Sequence, residues 1–330
     1  MRQQHIIICG ISFLLQGVAY LQFVDHSWRV QDQFSRRKNT LENSPENYDA
    51  MQHGFNLGDL FTDSLEETSE RRLEVRGNLP NWLSGSLIRN GPAVFGTQEG
   101  AKRKRSYNHI FDGLAKLVKF SISEREEGEV LFSQRFLRSR WYEDIVENLK
   151  DIPPSITTGN VDPPFNGPQK LYAALTSSSL FDNVPVNVHN LGGGSWVGVT
   201  DAPVMLEFDP VTLRTVGKKT YSNSIVNVGG VELFSTAHPH LRKMDDGKLY
   251  SFNYFLELRP LGSNVAHIAR IDDSGARKVI GSVELGFGVI PYIHDFSMTE
   301  NYVILCIWPV RVAMDTMVYS DRGFLRELVS

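Results

Sequence analysis

The amino-acid sequence predicts an all-β fold, and three observations support this prediction. From residue 74 onward, short runs rich in β-branched and aromatic residues alternate with Gly, Pro, Asn and Asp. Tight-turn signals, such as Asp245-Asp246-Gly247 and Asp209-Pro210, separate these runs. A unit of strand, Asp/Gly turn and strand recurs between residues 195 and 312, which favours a β-propeller over a β-sandwich.

The chain before residue 71 has a different texture. Arg2, the apolar stretch IIICGISFLL and the small residues Gly17-Val18-Ala19 predict a signal peptide over residues 1–19; an uncleaved anchor and a buried first strand are the alternatives. Residues 20–70 are polar without a usable period, which predicts a poorly ordered lead-in. We therefore expect the protein in the secretory pathway or secreted if the leader is cleaved, and membrane-associated or cytoplasmic otherwise.

Composition excludes some classes of function. There are 34 Lys and Arg against 38 Asp and Glu, and no basic stripe with interleaved aromatic residues occurs, so no nucleic-acid partner is expected. The densest basic run, Lys102-Arg103-Lys104-Arg105, predicts either a solvated loop or contact with an anionic lipid surface. The two cysteines, Cys9 and Cys306, provide no disulfide framework, so the core alone must hold the fold.

Few helices are expected, and one segment is predicted to be helical. In WYEDIVENLKDI, Ile145 and Leu149 are spaced four residues apart, as on one face of an α-helix.

Histidines carry the candidate chemistry. Of the nine in the chain, His189 lies next to turn residues and His267 alternates with apolar neighbours on a strand, so both are predicted to be structural. His238 and His294 share a different pattern, in which a histidine precedes a short polar gap and then an apolar strand. At the starts of inner propeller strands, both would point at the propeller axis. Neutral imidazoles that meet there could bind iron, zinc, copper or nickel.

Several longer motifs carry a resemblance to a known family. SGSLIRNGPAVFG, YNHIFDGLAKLVKFSIS, FSQRFLRS, TAHPH and YIHDFSMTENYVI occur in this order between about residue 74 and about residue 312. Together they resemble the carotenoid cleavage oxygenase family, which includes the β-carotene oxygenases and the retinoid isomerohydrolase of the eye. The resemblance implies that residues 71–330 form the N-terminal part of a seven-bladed β-propeller that is left unclosed. It also implies that four histidines hold a ferrous ion, Fe(2+), on the propeller axis.

The resemblance extends to individual ligands. His238 resembles the first iron-binding histidine of the family and His294 the second. The other two would come from later blades beyond Ser330, so this chain is expected to supply half of the ligand set. His240 follows the rigid Pro239 and is expected to shape the turn, although the sequence leaves open the reverse assignment of His238 and His240.

Asp201 is the candidate partner behind the ligands. It occupies the position that resembles a family glutamate, the usual partner of the second histidine. Because Asp is one methylene shorter than Glu, its contact with His294 is either direct or through a bridging water. The alternative is that Asp201 only opens an Asp-Ala-Pro turn.

The implied function is a non-haem iron-dependent dioxygenase that cleaves a C=C bond of a carotenoid or apocarotenoid with O₂ and forms carbonyl products. Such a substrate requires an apolar tunnel, for which the candidates are Phe252, Tyr254, Phe255, Phe287 and Tyr292, and it implies peripheral membrane contact. A retinyl ester isomerohydrolase and a non-catalytic carotenoid-binding protein are the alternatives. With half of the ligands, the chain by itself is expected to be inactive and poorly soluble.

Overall fold

The computed structural model describes residues 5–9, 61–80, 82–107, 109–123, 129–152, 161–165, 182–226 and 229–307. In these residues the strands, numbered in chain order, are β1 (His5–Cys9), β2 (Thr68–Leu73), β3 (Gly85–Pro92), β4 (Ser106–Tyr107), β5 (Ala115–Ile122), β6 (Val130–Phe136), β7 (Val161–Asp162), β8 (Asn187–Leu191), β9 (Ser195–Val199), β10 (Met205–Phe208), β11 (Thr215–Lys219), β12 (Val231–Ser235), β13 (His240–Lys243), β14 (Leu249–Leu258), β15 (Ser263–Ile271), β16 (Arg277–Phe287), β17 (Phe296–Met298) and β18 (Tyr302–Cys306). The helical segments described are a 3-10 helix (Ile110–Asp112), an α-helix (Arg140–Tyr142) and a π-helical stretch (Glu143–Glu147).

Most strands belong to four sheets. The first sheet has the order β2-β6-β5-β3, the second β11-β10-β9-β8, the third β12-β14-β15-β16 with β13 also beside β14, and the fourth β1-β18-β17. In the second sheet, β8 to β11 follow one another as an antiparallel meander, as in a propeller blade. In the described part of the chain the sheets do not close into a ring. The predictions of an all-β fold and of an unclosed one are confirmed, while the number of seven blades stays a prediction.

The four sheets pack face to face in the order in which they occur along the chain. The cluster between the first and second sheets contains Leu117 and Phe208, and the cluster between the second and third contains Val197 and Phe255. Phe252 of β14 packs against β17 and β18 of the fourth sheet. Strand β14 is therefore buried on both faces, which explains why its sequence, LYSFNYFLEL, is nearly continuously apolar. This stacking brings the start of β13 close to the start of β17.

The helical segment is shorter than the sequence predicts. It covers Arg140–Tyr142 and Glu143–Glu147, and Ile145 is buried as expected. Leu149 lies beyond the helix, is 40% exposed and has a φ of 51°. The prediction for Leu149 is wrong because its left-handed backbone ends the helix before the second apolar position is reached.

The N-terminal part of the chain contributes one strand to the fourth sheet. Residues 5–9 form β1, which pairs in parallel with β18 so that Cys9 lies opposite Cys306. Strand β2 begins at Thr68, just before the predicted domain boundary at residue 71. Residues 10–60, which include most of the predicted leader and lead-in, lie outside the described residues, so the signal peptide stays a prediction. None of the helices among the described residues has the length and hydropathy needed to cross a membrane.

Candidate metal centre

His238 lies where an edge strand of the third sheet is interrupted. Strands β12 and β13 both pair with β14, with Ser235 opposite Phe255 and His240 opposite Phe252. The four residues 236–239 therefore face only two residues of β14. The extra length makes the chain bulge away from the sheet, and His238 is carried on this bulge.

A buried asparagine replaces the missing backbone ladder at the bulge. The Asn253 side chain donates a hydrogen bond to the Thr236 carbonyl at 3.0 Å and accepts one from the Thr236 N–H at 3.3 Å. The Thr236 hydroxyl oxygen in turn accepts a hydrogen bond from the His238 N–H at 2.9 Å. The Thr236 backbone groups and the His238 N–H are thus paired, as burial of backbone polar groups requires.

The second sheet holds the same bulge from the other side. The Asn187 side chain, at the start of β8, donates to the Ala237 carbonyl at 3.0 Å. Asp201, just after β9, accepts from the Ala237 N–H through Oδ1 at 3.1 Å and from the Ser235 N–H through its carbonyl at 3.2 Å. Both polar groups of Ala237 are therefore bound by the second sheet, next to the His238 side chain.

His294 lies just before β17, on a segment that the third sheet holds by its carbonyls. Side chains of the third sheet donate to four backbone carbonyls: Tyr254 to Ile293, Thr236 to His294, His240 to Phe296 and Arg242 to Thr299. The bond from His240 Nε2 is 2.7 Å long, and the His240 ring also packs on Phe296 with 4.7 Å between ring centroids. His240 therefore joins two sheets, whereas the His238 ring is directed at His294.

The two predicted ligands meet. The Nε2 atoms of His238 and His294 are 3.0 Å apart, and their rings are inclined by 66°. Imidazole nitrogens lie about 2.0–2.1 Å from a bound zinc ion, so two of them at a right angle are about 3 Å apart. His238 is half-buried, and the His294 side chain is 47% exposed, which leaves the pair accessible. Among the described residues no group of three or more His, Cys, Asp or Glu side chains is arranged to hold a metal, so the pair stands as two ligands.

Asp201 reaches His294 through a tyrosine. Asp201 Oδ2 is 3.5 Å from His294 Nδ1, and the Tyr292 hydroxyl lies against both, 2.7 Å from Oδ2 and 2.9 Å from Nδ1. From the sequence we expect Asp201 to contact His294 directly or through a bridging water, and we expect Tyr292 to line a tunnel. A usable signal did exist, because residues two apart on an extended chain point to the same side.

The surroundings give the two imidazoles different proton affinities. Burial, and then the neighbouring His294, lower the pKa of His238. The Asp201 carboxylate raises the pKa of His294, and burial opposes this effect. Burial and then Asp201 raise the pKa of Tyr292, which keeps its phenol protonated. Burial therefore makes His238 the harder of the two imidazoles to protonate, and Asp201 makes His294 the easier.

The remaining histidines and the tunnel candidates have other surroundings. His189 and His267 are buried, with Nε2 of His189 2.6 Å from Ser251 Oγ and Nε2 of His267 2.8 Å from Glu257 Oε2. Phe252, Tyr254 and Phe255 are core residues, and Phe287 is 74% exposed. Tyr292 is the tunnel candidate whose side chain contacts one of the two predicted ligands, His294.

Comparison with known proteins identifies relatives of this chain. The family model described as "Retinal pigment epithelial membrane protein" matches residues 61–325. The chain is 28% identical to the carotenoid isomerooxygenase of Galleria mellonella over 79% of this chain and 50% of the relative. It is 32% identical to the mitochondrial carotenoid-cleaving dioxygenase of Mustela putorius furo over 80% of this chain and 47% of the relative. The chain spans about half the length of the curated relatives that it matches.

Solved structures support the fold. A mutant of Synechocystis apocarotenoid oxygenase is similar with a TM-score of 0.59 and 21% identity, over 80% of this chain and 51% of that one. The cobalt-substituted form of the same oxygenase gives a TM-score of 0.58 and 20% identity over the same shares. Because the family model covers well over half of the residues, this chain belongs to the retinal pigment epithelial membrane protein family, the family of the carotenoid cleavage oxygenases.

Proposed function

We propose that His238 and His294 bind one ferrous ion, and that this chain forms part of a dioxygenase that cleaves a C=C bond of a carotenoid or apocarotenoid with O₂. The observation that carries the proposal is the 3.0 Å separation of the two Nε2 atoms, which belong to different sheets. Family membership supports it, as do the names of the relatives, which describe carotenoid cleavage.

The donor set fits iron. Neutral imidazole is a ligand that iron accepts and that magnesium and calcium disfavour. Ferrous iron, when bound, would supply the activation of O₂ for cleavage of the polyene. On His294 the proton is held at Nδ1, so the Nε2 lone pair is directed at the site. For His238 to bind a metal through Nε2, its proton must lie on Nδ1. The neighbour of Nδ1 is the side-chain nitrogen of Asn187 at 3.4 Å, which is itself a hydrogen-bond donor. We infer that His294 is prepared for the metal and that His238 must rearrange its hydrogen bonding.

The alternatives receive less support. A retinyl ester isomerohydrolase and a carotenoid-binding protein without activity both belong to the possibilities that the sequence leaves open, but the relatives named above are a carotenoid isomerooxygenase and a carotenoid-cleaving dioxygenase. Membrane contact is part of the proposal because carotenoids partition into lipid. Of the basic run, Arg105 is withdrawn from the surface against Asp151 and Phe165, which leaves Lys102, Arg103 and Lys104 for an anionic surface.

Metal binding tests the site directly. The purified chain is titrated without oxygen with ferrous iron, and separately with cobalt(II), which reports imidazole binding by its visible absorption. His238→Ala and His294→Ala should each remove most of the binding. His109→Ala is the control, because the His109 ring accepts a hydrogen bond from the Phe111 N–H outside the site. Equal metal content in both site variants and the unaltered chain would refute the proposal.

Isotope labelling tests the reaction. The iron-loaded dioxygenase of which this chain forms part is incubated with a carotenoid under ¹⁸O₂, and labelled aldehydes or ketones are expected, whereas the chain by itself is expected to form none. Unlabelled retinol formed from a retinyl ester would support the isomerohydrolase instead. Carotenoid that is retained by an iron-free chain, without products, would support a binding protein.

A further inference from the structure

The hydrogen bonds behind His294 form a chain in which each group donates to the next, from His294 to Tyr292 and from Tyr292 to Asp201. The Tyr292 hydroxyl has a single proton and donates it to Asp201 Oδ2 at 2.7 Å. The 2.9 Å contact between this hydroxyl and His294 Nδ1 therefore needs its proton from Nδ1. A neutral His294 with its proton on Nδ1 has a lone pair on Nε2, the atom that lies 3.0 Å from His238 Nε2. The orientation of one phenol thus determines which nitrogen of His294 is free.

Asp201 cannot perform this role alone in its observed position. Its Oδ2 is 3.5 Å from His294 Nδ1, which is beyond a good N–H···O hydrogen bond. Its other oxygen is held by the Ala237 N–H and its carbonyl by the Ser235 N–H, so the carboxylate is tied to the bulge that carries His238. Tyr292 spans the remaining gap from its position two residues before His294.

We propose that Tyr292 is a positioning residue that keeps His294 in the Nδ1–H tautomer, with Asp201 as the fixed acceptor at the end of the relay. The pair Tyr292–Asp201 then provides what one longer carboxylate would provide by direct contact. The same carboxylate fixes the bulge of His238 through Ala237, so a single group sets the geometry of one imidazole and the tautomer of the other. This inference rests on the proposed metal function for its purpose, but not for its test.

The test reads the tautomer itself. The nitrogen-15 shifts of His294 are measured in the metal-free chain at a pH where the imidazoles are neutral, and they are assigned with the His294→Gln variant. The unaltered chain should have its proton on Nδ1. Tyr292→Phe removes the acceptor of that proton and keeps the ring, so the signal should move to a mixture of both tautomers.

A second variant predicts the opposite extreme. In Asp201→Asn, the amide oxygen still accepts from the Ala237 N–H, while the amide N–H₂ faces Tyr292. The phenol must then accept from Asn and donate to His294 Nδ1, so the proton should move to Nε2. This variant removes no atom from the bulge, and it carries the test if Tyr292→Phe does not fold.

A rescue separates positioning from simple structure. In the Tyr292→Phe background, Asp201→Glu lengthens the carboxylate by one methylene, which allows it to reach Nδ1 directly and should restore the Nδ1–H form. Tyr250→Phe is the matched control, because it removes another Tyr–Asp hydrogen bond, 2.8 Å from Tyr250 to Asp246, at an exposed place outside the site. It should leave the His294 signals unchanged.

Metal affinity distinguishes the two proposals. Groups behind a metal-bound histidine typically change affinity by about 10–100-fold, so cobalt(II) should bind at least about tenfold more weakly to Tyr292→Phe and should recover with the rescue. An unchanged His294 tautomer in Tyr292→Phe and Asp201→Asn would overturn the inference. A shifted tautomer in a chain that binds no cobalt at His238 and His294 would support the relay and contradict the metal function.

Discussion

Replacing Glu257 by Ala is expected to destabilise the third sheet strongly, because this side chain is completely buried. Its Oε2 accepts hydrogen bonds from Arg259 Nη2 and from His267 Nε2, each at 2.8 Å. Removing the carboxylate leaves the buried His267 N–H without its acceptor, which costs about 1–3 kcal/mol, while the partly exposed Arg259 guanidinium can still reach water. We expect a loss of this size in the free energy of unfolding, measured with urea.

A second substitution reaches the same carboxylate from the backbone. Gly230 lies against Glu257, and a Cβ at this position would overlap the carboxylate oxygen Oε1. The backbone of Gly230 is not in the left-handed region, so Gly230→Ala should act only through this overlap, at about 1–3 kcal/mol. In the Glu257→Ala background the methyl group has room, and Gly230→Ala should cost almost nothing.

The double variant Gly230→Ala/Glu257→Ala tests whether both substitutions act on the same carboxylate. Its loss should equal that of Glu257→Ala alone, which gives a coupling of about 1–3 kcal/mol, as found for residues in contact. The control is Glu207→Ala, which breaks the more exposed pair with Lys219 at 3.6 Å and should cost no more than about 1 kcal/mol. Losses of Gly230→Ala and Glu257→Ala that add within about 0.5 kcal/mol would refute the argument that both act on one carboxylate.

Two further substitutions test the turns and the acid sensitivity of the fold. Gly192 and Gly247 both have positive φ, 58° and 76°, but only at Gly192 would a Cβ overlap the backbone of Asp272. In urea unfolding, Gly247→Ala should therefore cost about 1–2 kcal/mol of stability and Gly192→Ala clearly more. Equal losses would contradict this reasoning. Burial lowers the pKa of His189 to about 4, below its ordinary 6.5, so the unfolded chain binds more protons than the folded one between these pH values. The free energy of unfolding should therefore fall by about 2 kcal/mol from neutral pH to about pH 5. A His189→Asn variant that keeps the whole decline would exclude this cause.

Much of the sheet structure could be predicted from local sequence. The run LYSFNYFLEL coincides with β14, and SWVGV with β9, because continuous apolar runs between turn residues have few other solutions. The end of the helix near Leu149 could not be predicted in this way. Leu149 has a left-handed backbone because it follows the last helical residue, and the spacing of apolar residues carries no information about where a helix ends.

The candidate site divides along the same line. That His238 and His294 are special follows from a motif resemblance, whereas their 3.0 Å separation depends on contacts between residues far apart in sequence. The bulge exists because Asn253 completes the hydrogen bonds of Thr236. None of these contacts leaves a periodic trace in the chain.

Contacts among the second, third and fourth sheets therefore set the distance between His238 and His294. The second sheet contributes Asp201, which holds the bulge of His238, and the third contributes the donors that bind the carbonyls of residues 293–299. Because the His294 segment is held by its carbonyls, the side chains of Tyr292 and His294 are left to contact each other on one side of it. An alternative in which His240 is the ligand would require it to give up its bond to the Phe296 carbonyl, and with it a link that holds the His294 segment in place. The geometry thus favours His238, since this choice keeps the hydrogen bond from His240 to the Phe296 carbonyl.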